Sequence, residues 1–393
     1  MNIKDVETKN RSIFATISIF LVFIVYLGYN IPLCIDLFNS KPAILAEFLI
    51  SIPLVFILSI IFHEAGHLIL GLISHFRFLS FEVLGLKIIK INGKIKLKRG
   101  NFVALGQCLL GLDKEKRDIV NTKLYLSGGI ILNGVLSSLG LILSIISVFK
   151  RDFISPYAST ILFCNLYFLV NNAIPLNIGG IYNDALNIRL SKKYYEVERT
   201  LVNSIVLNTY MEEKESLADF DEDILLNDGI TTPAWYAYDY PFIQLSVYKN
   251  ILNKDYYSAL SLNTPRFTNR YYYPKVYFKN IVSHQMYLKI LTGDTYEYLF
   301  KSKEGESLVK SSYNNMVLCG DVLYHYDKGE FTSSYAYMIL NQYEEDTKNM
   351  YNNMKVQKEL ELAVINSAIE YIQTKELKKI EIIDVEEEDD PQK

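Results

Sequence analysis

Four long stretches of this chain carry almost no charge, and they restrict its architecture more than any other feature. Residues 12–35, 124–149 and 153–183 contain no Asp, Glu, Lys or Arg, and 48–76 contains Glu64 as its one acidic residue and no Lys or Arg. A helix needs about 20 predominantly apolar residues to cross the hydrocarbon layer of a bilayer. Four spans are therefore expected, near 12–35, 45–74, 122–149 and 155–175. The last closes early because the chain turns polar beyond Pro175, at Asn177, Gly179, Gly180 and Asn183. The first reads as a retained span. Its apolar run is too long for the core of a signal peptide, and it lacks a small-residue cleavage site.

The cations set an orientation. The connection between the second and third spans holds Arg77, Lys87, Lys90, Lys94, Lys96, Lys98, Arg99, Lys114, Lys116 and Arg117. The first and third connections hold only Lys41 and the pair Lys150 and Arg151. Short loops rich in Lys and Arg face the cytoplasm, so both termini are expected there too, and Lys4, Lys9 and Arg11 agree. Within the basic loop, Lys94-Ile95-Lys96-Leu97-Lys98 alternates strictly behind an Asn92-Gly93 turn. That pattern predicts a β-hairpin over about 86–98, either lying on anionic lipid or serving the chemistry described below.

From about residue 190 the chain changes character. It is rich in tyrosine and charge and has no run long enough to span. Helical patterns at 243–262, 282–300, 307–327 and 331–372 predict a mostly helical cytoplasmic domain over 191–380, without a fixed repeat period. Residues 381–393, with Glu386-Glu387-Glu388-Asp389-Asp390, are expected to be an acidic, solvated, disordered tail. A net charge of −4 gives no reason to expect nucleic acid as a partner. Cys34, Cys108, Cys164 and Cys319 are too scattered for a CxxC metal site or a disulfide framework.

The chemistry lies where charge is most costly. His63-Glu64-Ala65-Gly66-His67 falls inside the second span. An ionised side chain at mid-bilayer costs about 2.5–3.5 kcal/mol even on the mild insertion scale, so such residues mark functional sites. Two histidines four apart share one helix face and can hold one zinc ion, with the intervening glutamate placed as general base. A catalytic zinc takes three protein ligands and keeps one position for water. Asp184, just past the cytoplasmic end of the fourth span, is the best third candidate. Pro175 would break the helix, and Gly179-Gly180 would turn the backbone inward. The alternative is that Asp184 is an ordinary N-cap of a helix over 185–195, and the two roles can coexist on different oxygens.

With these residues in view, roughly 45–190 resembles the site-2 protease family of intramembrane zinc metalloproteases. Three elements carry the resemblance: His63-Glu64-Ala65-Gly66-His67 in a membrane helix; Ser127-Gly128-Gly129 followed by Asn133; and Asn172-x-x-Pro175 ahead of Asp184. The resemblance implies one Zn2+ per chain on His63, His67 and Asp184, Glu64 as general base, and Asn172 as a residue positioning the substrate or its oxyanion. It implies that an extended substrate segment pairs with a sheet element beside the site, for which the edge of the 86–98 hairpin is the expected partner. Gly128-Gly129 would serve close helix packing or the approach of a substrate helix. The chain departs from the family pattern at Ala185, where glycine is common, and in the longer stretch from Pro175 to Asp184. It has no segment resembling the PDZ-like or CBS-like domains of several family branches.

The expected molecule is thus a polytopic α-helical membrane protein: about four spans with a short β-hairpin in a membrane-embedded zinc protease domain (1–190), then the helical cytoplasmic domain. The expected function is an intramembrane zinc metalloendopeptidase cutting transmembrane or signal-peptide-like segments. Its partners would be the lipid bilayer, a membrane-anchored protein or peptide substrate, and a cytoplasmic adaptor bound through 191–380. The Lys-, Asn- and Ile-rich composition fits a bacterial cell membrane. Two alternatives stand beside this reading: a catalytically inactive receptor or chaperone that keeps the fold, and an enzyme that matures soluble peptides at the membrane surface.

Overall fold

The computed structural model describes residues 7–91, 94–99, 105–150, 155–178, 181–214, 216–230, 237–350 and 355–388. The expected Asn92-Gly93 turn and the Gly179-Gly180 pair lie outside them. The chain is mostly helical with a small antiparallel sheet, and it divides into two compact units, 1–209 and 210–393. The division falls some way past the boundary expected at 190. Residues 184–209 are fastened to the first unit by Lys123–Glu198 and Arg199–Asp118 ion pairs and by the Arg117–Asn203 hydrogen bond.

In the first unit, α1 (Glu7–Ser40), α2 (Pro42–Ile73), α3 (Thr122–Lys150) and α4 (Ser155–Ala173) pack together, followed by α5 (Asp184–Lys193) and α6 (Tyr195–Glu213). Among the described residues three helices are long and apolar enough to cross a membrane: Ile13–Ser40, Pro42–Ile73 and Thr122–Ser147. α4, the fourth expected span, is not among them. Its buried positions are Ser155, Pro156, Ala158, Ser159, Thr160 and Asn165, small or polar residues that serve helix contact. Ser159 donates to Asn30 Oδ1, and the hydroxyls of Tyr26 and Thr160 pair at 3.3 Å, so polar groups join α1 to α4.

α2 ends abruptly. His75 adopts a left-handed conformation (φ 69°), and the Phe76 N–H reaches back to the Gly71 carbonyl. This C-terminal motif reverses the chain and feeds it into a four-stranded antiparallel sheet. The strands are β1 (Arg77–Val83), β2 (Leu86–Ile91), β3 (Lys94–Arg99) and β4 (Gly106–Gly111), in the spatial order β3-β2-β1-β4. The hairpin expected over 86–98 is β2 and β3, with Ile88 opposite Leu97. β4 occupies the other edge and packs against α2.

The second unit comprises α7 (Glu222–Leu225), α8 (Tyr240–Leu252), α9 (Tyr256–Thr268), α10 (Lys275–Thr292), α11 (Glu297–Phe300), α12 (Lys303–Lys310), α13 (Asn315–Asp327), α14 (Ser333–Met350) and α15 (Lys355–Glu388). Helices adjacent in sequence pack in pairs, α8 on α9, α9 on α10, α13 on α14 and α14 on α15. The pattern at 243–262 is two helices, because Lys254 is left-handed and Asp255 caps α9 by accepting from the Ser258 N–H. The core buries polar groups in pairs: Tyr287 donates to the Val364 carbonyl, and Asn263 to Gln285. Burial pushes the His284 imidazole down to about 3, so it stays neutral. α15 continues to Glu388. Residues 378–388 are Lys, Ile, Glu, Asp and Val with no glycine or proline before Pro391, so nothing stops a helix already nucleated upstream.

Candidate metal centre

α2 crosses α3 at Gly66 and Gly128, backbone against backbone. A Cβ on Gly66 would overlap the Gly128 carbonyl, and one on Gly128 would overlap that of Gly66. Gly129, the next residue of α3, leaves room for a ring: a Cβ there would stand only 2.3–2.6 Å from atoms of the His63 imidazole. The small-residue pair therefore serves helix packing and makes space for a histidine.

That crossing fixes both imidazoles. His63 and His67 are buried, 8% and 7% exposed. His63 Nδ1 lies 2.6 Å from Asn133 Oδ1, and His67 Nδ1 lies 3.0 Å from the Tyr125 carbonyl. Both partners are acceptors, so each Nδ1–H donates and each Nε2 keeps its lone pair free. Asn133 is held in turn, donating through Nδ2 to Asn165 Oδ1 at 2.8 Å and to the Ser59 carbonyl at 3.3 Å. A second partner that fixes the tautomer is the usual support of a metal-binding histidine.

Asp184 joins them. Its Oδ2 lies 3.5 Å from His63 Nε2 and 3.3 Å from His67 Nε2, and the two Nε2 atoms are 3.3 Å apart. Ligands about 2.0–2.1 Å from a tetrahedral zinc stand about 3.3–3.4 Å from one another. Asp184 Oδ2 is buried without a hydrogen-bond partner. Three acceptors facing one another at this separation repel unless a metal cation or a proton sits among them. The donor set, two imidazoles and a carboxylate, suits zinc and leaves a fourth position open.

Asn183, which sequence reasoning passed over, makes this possible. It is the N-cap of α5, its Oδ1 accepting from the Leu186 and Leu176 N–H groups, while Nδ2 donates to the carbonyls of Asn171 and Ile174. Asp184 is therefore the first residue of α5 and not its cap, so its carboxylate is left to face the histidines. The long stretch after Pro175 forms a two-stranded ribbon, β5 (Asn177–Ile178) and β6 (Ile181–Tyr182), that returns the chain to the end of α4. Ala185 sits in the first turn of α5, a helical position that alanine fills without strain.

Glu64 lies against β4. Its Oε2 accepts from the Cys108 N–H at 2.7 Å, and Gly106 has no side chain to keep the strand away: a Cβ there would stand 3.0 Å from Glu64 Cγ. Tyr125 connects the two sides, its carbonyl accepting a hydrogen bond from His67 Nδ1 and its hydroxyl donating to the Cys108 carbonyl at 3.4 Å. The sheet edge beside Glu64 is thus β4 and not the 86–98 hairpin, whose outer strand lies at the opposite edge. The sequence concealed this because Gly106–Gly111 lacks the alternation that marks β3.

Asn172 lies in the last turn of α4. Its amide donates back to the Phe168 carbonyl one turn earlier in α4, at 3.1 Å. The Phe168 ring centroid lies 6.3 Å from that of His63. Among the described residues, His63, His67 and Asp184 form the one cluster of three or more His, Cys, Asp or Glu side chains arranged to hold a metal ion. No family model matches the chain, and neither a curated protein nor a solved structure does.

Proposed function

We propose that this protein is an intramembrane zinc metalloendopeptidase that hydrolyses peptide bonds in transmembrane or signal-peptide-like segments. One observation carries the reading: Nε2 of His63 and of His67, on a helix apolar enough to lie in a bilayer, and Oδ2 of Asp184, at the start of α5, stand 3.3–3.5 Å from one another. His63, His67 and Asp184 would hold the ion. When bound, zinc would supply Lewis acidity to a water and to the scissile carbonyl.

The remaining work falls to the chain. Glu64 takes a proton from the attacking water and returns it to the leaving amine. The Cys108 N–H, by donating to Oε2, holds the carboxylate in one orientation. A peptide bond in a helix is shielded by its own hydrogen bonds, so the substrate must be extended before it is cut. β4 is an edge strand in contact with the Glu64 helix and can pair with an extended segment there. In this reading α4 is the fourth span, both termini are cytoplasmic, and the helical unit 210–393 selects or presents substrates.

Glu64→Gln keeps the size of the side chain and removes the base. Cleavage of a membrane-anchored substrate should fall by about 10²–10⁴-fold while zinc content is unchanged. Cleavage at the wild-type rate in that variant would remove Glu64 from the mechanism.

A further inference from the structure

The β2–β3 hairpin has two chemically distinct faces. Cross-strand register puts Leu86 with Arg99, Ile88 with Leu97 and Lys90 with Ile95 on one of them. Leu86, Ile88, Ile95 and Leu97 are 65%, 40%, 71% and 71% exposed, so this face offers four apolar side chains to its surroundings, rimmed by two cations. The other face pairs Lys87 with Lys98, Ile89 with Lys96 and Ile91 with Lys94. Ile89 is buried, whereas Lys94 and Lys96 are exposed.

Two features need a partner. Four exposed aliphatic side chains on one short ribbon form a patch that soluble surfaces avoid. The strands carry six cations and no acid, and no ion pair of the described residues engages Lys90, Lys94, Lys96, Lys98 or Arg99. The chain also restricts where the sheet can lie. Arg77 follows the end of the apolar α2 by four residues, a reach of at most about 14 Å. β4 leads on to α3, the next helix apolar enough to span.

We propose that the β2–β3 hairpin is a lipid-docking element. It lies on the leaflet at the cytoplasmic end of α2, with Leu86, Ile88, Ile95 and Leu97 in the boundary between headgroups and acyl chains. Lys90, Lys94, Lys96, Lys98 and Arg99 contact anionic headgroups. Apolar burial and attraction to anionic lipid act together in interfacial elements. Neither term needs zinc or substrate. Because β1 joins this hairpin to β4, docking would also fix the height of the strand beside Glu64 relative to the bilayer.

The test uses the full chain with its single tryptophan, Trp235, changed to phenylalanine. Ile95→Trp and Leu97→Trp report on the apolar face, and Lys96→Trp on the other. Each is placed in nanodiscs of brominated phosphatidylcholine, alone or with one-third phosphatidylglycerol. The expected result is blue-shifted, bromine-quenched emission from positions 95 and 97 in the anionic discs and little quenching from position 96. Most of the quenching should disappear in phosphatidylcholine alone, in high salt, and when Lys94, Lys96 and Lys98 become glutamine. Water-like emission from 95 and 97 in anionic discs would overturn the proposal. Equal quenching in both lipids would remove the recognition of anionic headgroups. Quenching at 96 as strong as at 95 would overturn the assignment of faces. Hydrogen exchange of residues 86–99 in the unsubstituted chain gives a readout without substitutions: protection should rise with phosphatidylglycerol, and constant protection would contradict the proposal.

Discussion

At the scale of single residues, the site depends on atoms that a motif does not contain. His63 and His67 are recognisable from their spacing, but their tautomers are set by Asn133 Oδ1 and the Tyr125 carbonyl. Gly129 has a part as well, because the His63 ring occupies the volume its Cβ would need. Gly129→Ala should displace that imidazole and lower zinc affinity by at least the 10–100-fold typical of lost support around a metal ligand. Titration with a competing chelator measures this. Affinity equal to wild type would show that the ring has another place to go.

At the scale of elements, the turn between α4 and α5 governs how Asp184 arrives. Asn183 satisfies two N–H groups and two carbonyls from both sides of that turn. Asn183→Ala removes an N-cap, worth about 1 kcal/mol, and frees the carbonyls it held. Zinc content should fall although no ligand has changed, and Asn183→Asp, which keeps the capping oxygen, should recover part of the loss. Full zinc in Asn183→Ala would show that α5 is positioned by its packing on α3 and α4 without the cap. The legibility of the elements follows their physics. Long uncharged runs and strict alternation are strong local signals, so three spans and the 86–98 hairpin could be read directly. β4 was hidden because its strand character comes from pairing with β1 and contact with α2, both distant in sequence. The capping role of Asn183 was hidden by its acidic neighbour, since either residue type can cap a helix. Asn172 was expected at the site from resemblance alone, and its amide turns back onto its own helix.

At the scale of the whole molecule, the first unit contains the candidate metal centre and a sheet with two unlike edges. One edge, β4, touches the Glu64 helix; the other, β3, is cationic and exposed. The second unit is a helical array with a mainly aliphatic core in which a few tyrosines and paired amides are also buried. The central claim, that the first unit is a zinc enzyme, rests on three ligand atoms. The most direct test is zinc per chain in protein purified in detergent without chelators, for wild type and for Asp184→Ala. The account predicts close to one zinc per wild-type chain and a sharp loss in the variant, because two imidazoles alone leave the site one ligand short. Wild-type protein without zinc, or a variant that keeps all of it, would contradict the three-ligand centre and the hydrolytic reading built on it.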